Sequence, residues 1–106
     1  VRGGGVMPSI TLLEKVKKSL MIPTTETFAD TELNVHILSC KELIKSAGVP
    51  SNVIESDNGL VEALILIYCK TFYGFTNDGS VKTLPDSFDF LLRQLALTWE
   101  EETHVS

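Results

Sequence analysis

Chemistry in this chain would have to come from His36, from the cysteines Cys40 and Cys69, or from the lysine trio Lys15, Lys17 and Lys18. A histidine becomes a metal ligand or an acid–base group when a carboxylate, a cysteine or a second histidine stands at matching spacing. None stands out around His36, which lies one turn from Leu33 and Cys40 and reads as the rim of a core. The cysteines form no CxxC and no cluster with histidine, and both sit among apolar neighbours, so they read as reduced core thiols of a cytosolic protein. The lysines would bind phosphate if they converged, but on a short amphipathic helix they read as a solvated face near its C-terminal end. There is no P-loop, no GxGxxG after a strand, no HExxH and no nucleophile elbow. The expectation is a protein that is not an enzyme, with no cofactor and no metal site.

The elements that would have to position such residues are helices. The stretch Leu60 to Phe75, LVEALILIYCKTFYGF, is apolar without a break from Ala63 to Cys69. A helix apolar on every side belongs in the middle of a fold. The run is too short to span a bilayer, which takes about 20 such residues, so its surroundings are expected to be protein and no membrane is involved. Three other helices are expected to wrap it. Thr11-Leu-Leu-Glu14 is a capping box that opens the first, with Leu12, Leu13, Val16 and Leu20 on one face and Pro23 as its stop. Asp30 or Thr31 is expected to cap the second, whose stripe is Leu33, Ile37, Cys40, Ile44 and Ala47, closed by Gly48 and Pro50. Phe28, in the polar link between them, is expected to tuck against the core. Ser51 to Asn58 reads as a loop whose end caps the central helix. The last helix follows Pro85, with Phe88, Leu91, Leu92 and Leu95 buried.

Between the third and fourth helices, Asn77-Asp78-Gly79 signals a tight turn flanked by Phe75 and Val81, and a short β-hairpin is expected there. The fold class is therefore mainly all-α, a bundle of about four helices. At 106 residues and 43% hydrophobic content the chain makes one domain and no more. Residues 1–9 read as a flexible leader or expression remnant, with Met7 a plausible native start; 10–97 form the helical domain; and 98–106, with Glu100, Glu101 and Glu102, an acidic tail. A net charge of −5 argues against a protein whose work is to grip nucleic acid. A helix-turn-helix reading fails as well, because the would-be recognition helix is apolar all round and offers only Lys70.

With the helices placed, the order resembles a known pattern: a short helix ending in LMIP, an Asp-Thr-Glu-Leu start to a long helix, a glycine stop, ALILIYCKTFYG, then LPDSFDFLLRQL. It looks like the small phage head–tail connector proteins, also called head-completion or adaptor proteins, of tailed phages and prophages. The resemblance covers Ile10 to Leu97. Members often end the third helix with a polar Asn-Arg-Glu-like sequence and a short link, where this chain has Lys70-Thr-Phe-Tyr73 and a longer Thr76 to Leu84 segment. The resemblance implies a ring of about a dozen copies beneath the portal protein. Such a ring extends the DNA channel, passes DNA without binding it specifically, and docks the next connector or tail protein. It also implies a place in the virion, reached through the bacterial cytoplasm during assembly. The ring contacts are expected at residues a four-helix core leaves spare: Phe75, Asn77, Asp78, Val81, Lys82 and Trp99. A different class, a small regulatory protein acting through the same surface on another protein, is the alternative.

Overall fold

The computed structural model describes residues 11–56, 58–74 and 82–104, with side chains described as far as residue 98. These residues form α1 (Leu12–Ser19), α2 (Asp30–Ser46), α3 (Ser51–Ile54), α4 (Gly59–Phe72) and α5 (Asp86–His104). The all-α expectation holds. No strand occurs among the described residues, and the hairpin expected between Phe75 and Val81 lies outside them.

The α1 capping box forms as its sequence requires. Glu14 N donates to Thr11 Oγ1 and Thr11 N donates to Glu14 Oε1, each at 3.1 Å. The backbone hydrogen bond from Thr11 is the main cause holding the Glu14 carboxyl below its ordinary value. The helix stops before Pro23. Ile22 N donates to Lys17 O at 2.8 Å and Met21 N to Lys18 O at 3.1 Å, the paired bonds that close a helix through a left-handed residue. That residue is Met21, with φ at 62°.

Lys17 corrects the reading of the lysines as a solvated face. It is only 2% exposed. Its Nζ donates to Thr24 O at 3.2 Å and to Glu26 O, and lies 2.9 Å from Asp30 Oδ1. The Asp30 oxygen offers charge without a well-aligned hydrogen bond. Desolvating an ammonium is costly, and this arrangement of two carbonyls and a carboxylate offsets it. The lysine thereby ties the α1–α2 link to both helices. Asp30, drawn to Lys17, does not cap α2; Ala29 is the N-cap residue and contributes no side-chain bond. Phe28 also departs from expectation, standing 71% exposed where a place in the core was expected.

On α2 the residues Leu33, Ile37, Cys40 and Ile44 are buried, while Ala47 lies past the helix end and is exposed. Gly48 takes φ of 102°, the left-handed turn expected of it. The Ser51–Asn58 stretch is not wholly a loop, because Val53 and Ile54 are buried and one helical turn, α3, delivers them to the core. Asn58 then caps α4, its Oδ1 accepting from Leu60 N at 2.9 Å and Val61 N at 3.2 Å. α4 is the centre of the fold and packs on α1, α2 and α5. Its Val61, Leu64, Ile65 and Cys69 are buried, and Leu66, Ile67 and Tyr68 pack on that core while partly exposed. α5 brings Phe88 and Leu95 into the core, with Leu91 and Leu92 beside them. The helical backbone continues through His104, so most of the expected acidic tail is part of α5.

Candidate assembly surface

The two cysteines are held where a thiol is least reactive. Burial pushes the Cys40 thiol up to about 12, with a smaller contribution from Cys69, and pushes Cys69 up to about 11. Both stay protonated across the neutral range, and neither is a ready nucleophile. His36 is not without a carboxylate after all. Glu32, one turn before it, places Oε2 3.0 Å from His36 Nε2 and accepts from Gly74 N at 3.1 Å. The same carboxylate therefore holds the end of α4 to the start of α2. His36 also faces Tyr68 and Phe72, with ring centroids 6.2 and 6.3 Å away, and Tyr68 meets Phe88 at 6.2 Å. These contacts make the histidine part of an aromatic seam joining α2, α4 and α5. Among the described residues no group of three or more His, Cys, Asp or Glu is placed to hold a metal, and no helix is long and apolar enough to cross a membrane.

Two concavities accompany this core. A cavity of about 140 Å³ lies between α1, α3 and α4, over Leu12, Ile54, Val61 and Ile65. Ion pairs stand at it, Lys15 with Glu62 at 2.7 Å and Lys41 with Glu55 at 2.9 Å. A more open and apolar groove runs along α2 against α4, lined by Leu38, Ser39, Glu42, Leu43 and Tyr68.

Of the residues expected to make ring contacts, Phe75, Asn77, Asp78 and Val81 lie outside the described residues. Lys82 is half-buried in the segment before α5. Trp99 belongs to the helical backbone of α5, and its side chain lies outside the described set. The described surface shows a further set of apolar residues. Val35, Leu38 and Leu43 on α2 and Phe90 and Leu97 on α5 are exposed, Leu38 and Phe90 each 61% so. Periodicity carried the signal for them. Each falls off its helix's buried stripe, so a core of the expected size has no place for it. A short apolar residue on the wrong face is easily passed over as noise; five of them on two helices form surface in want of a partner.

A family model described as phage connector protein matches residues 12–102 of this chain. No curated protein and no solved structure matches it significantly.

Proposed function

Because this chain belongs to the phage connector protein family, we propose that it is a structural virion subunit that assembles as a ring beneath the portal of a tailed phage. The ring, of about a dozen copies, extends the DNA channel and docks the next connector or tail protein. The observation that carries this reading is the extent of the family match, residues 12–102, which takes in the described helices from α1 into the last turn of α5. The net charge of −5 suits the role. A channel wall rich in lysine and arginine would release counterions from the duplex and hold it, while an acidic wall lets it slide. The surface readings suit it too, since a ring subunit needs apolar patches outside its own core. Phe75, Asn77, Asp78, Val81 and Lys82 before α5, with Trp99 on it, are assigned to contacts in the assembled ring.

The direct test adds the purified chain to the purified portal of the same phage and images the product. A ring of additional density below the portal is the expected result, and portal that stays bare under all conditions overturns the reading. In the same assay Phe75→Ala and Trp99→Ala are expected to weaken ring formation. Rings that form unchanged with both substitutions would remove these residues from the interface and leave the connector role standing.

A further inference from the structure

We propose that neighbouring copies meet through a contact between the outer face of α2 in one copy and the outer face of α5 in the next, packed antiparallel. The contact rests on the ring reading for its closure, and on the surface of this chain for its chemistry. Val35 and Leu38, three residues apart, are both exposed on α2, and Leu38 lines the groove that ends against Tyr68 of α4. Phe90 and Leu97, two turns apart, share the side of α5 opposite the buried Phe88 and Leu95. Neither face is covered within the described chain, so each carries exposed apolar side chains flanked by charge.

The charges choose the occupant and the direction. On α2 the exposed Glu42 and Lys45 follow Leu38; on α5 the exposed Asp86 and Asp89 precede Phe90, and the exposed Arg93 stands between Phe90 and Leu97. Run the helices antiparallel with Leu38 opposite Leu97. Glu42 then falls opposite Arg93, Lys45 falls within a turn of Asp86 and Asp89, and Phe90 lies toward the Leu43 end of the groove. In a parallel arrangement with Glu42 opposite Arg93, Leu38 faces Asp89 and Leu97 faces Ser46, so the leucine pair is lost. Arg93 pairs with Asp89 of its own helix at 3.0 Å in the free chain, where both are well exposed. Such an exposed pair is weak and exchanges readily for an intermolecular one. The two faces belong to different helices, so the contact is head-to-tail. A contact of that kind closes into a ring or continues as a filament, and a second copy of this chain is the partner that carries both halves.

Cross-linking tests this with the full chain. Leu38→Cys and Leu97→Cys are introduced singly and together, and mild oxidation with diamide is applied across a wide range of concentrations, with and without portal. The native Cys40 and Cys69 are buried and out of reach. The double variant is expected to give a ladder of multimers, and each single variant monomer alone, because in a head-to-tail contact residue 38 meets 97 and never itself. Charge reversal supplies a second measurement. Glu42→Arg and Arg93→Glu are each expected to weaken self-association by roughly three- to tenfold, and their combination to restore it. A single variant that cross-links to itself as readily as the double, a double variant that stays monomeric throughout, or a charge pair that fails to rescue overturns the contact. Portal binding separates the two ideas: a missing ladder with the portal still bound sinks this interface alone, and a ladder with no portal binding sinks the connector reading alone.

Discussion

Lys17 shows how a single side chain can turn a local pattern into tertiary structure. In sequence it is one of three lysines at the end of a short helix; in the fold it is the one that faces inward, under the Thr24–Glu26 backbone and beside Asp30. Lys18, its neighbour, is exposed. The difference follows from the link that Lys17 holds, since two carbonyls and a carboxylate turned inward need a donor. Removing the ammonium leaves the buried Asp30 Oδ1 without its counter-charge, which costs more than the ion pair itself is worth. Lys17→Met keeps the stem and deletes the charge, and is expected to lower stability by about 3 kcal/mol in urea unfolding. Lys18→Met, by contrast, is expected to stay within about 0.5 kcal/mol of the parent chain. Equal effects of the two would show that the buried contact contributes nothing.

Helix ends divide what local sequence can say from what it cannot. The capping box at Thr11, the Asn58 cap and the Gly48 turn were legible because each is a short-range bargain between one side chain and nearby backbone. Met21 is the case where that logic was overruled. Its bonds demand a left-handed residue, and methionine pays for the conformation with its Cβ while standing 90% exposed, with little packing in return. Met21→Gly is therefore expected to raise stability by up to about 1 kcal/mol, the relief of the left-handed strain exceeding the added chain entropy. A thermal melt showing loss of stability would mean that the Met21 side chain is held by something worth more. The remaining misses share a cause. The α3 turn forms because Val53 and Ile54 find the core, and the link that carries the exposed Phe28 is held by Lys17; both outcomes depend on contacts beyond the local pattern. The candidate surface was legible only as a remainder. Phe75 and Trp99 lack a place in the stripes, and so do Val35, Leu38, Phe90 and Leu97, which sit inside helices whose stripes are already satisfied.

The packing of the helices sets which parts of the molecule are free to answer to a partner. α4 carries the core, and α2 closes on it with Leu33, Ile37, Cys40 and Ile44, while α1 is tied in by Lys15 to Glu62 and by Lys17 to Asp30. α5 has α4 as its principal neighbour and is fastened by Phe88 near its start and Leu95 in its middle. Local opening costs least where few apolar contacts must be broken. Amide exchange in the free chain is therefore expected to be slowest in α2 and α4, with the α5 turns beyond Leu97 exchanging much faster. Assembly through the proposed contact is expected to change that order. If the outer face of α5 is covered by a neighbouring copy, its amides from Phe90 onward are expected to slow on ring formation, together with those of α2 between Val35 and Lys45, while α1 changes little. Slowing confined to α1, or uniform slowing without preference for α2 and α5, would place the neighbour elsewhere. On the proposed contact, α5, which has α4 as its principal neighbour in the single chain, gains a second neighbour in the ring through its exposed Phe90 and Leu97.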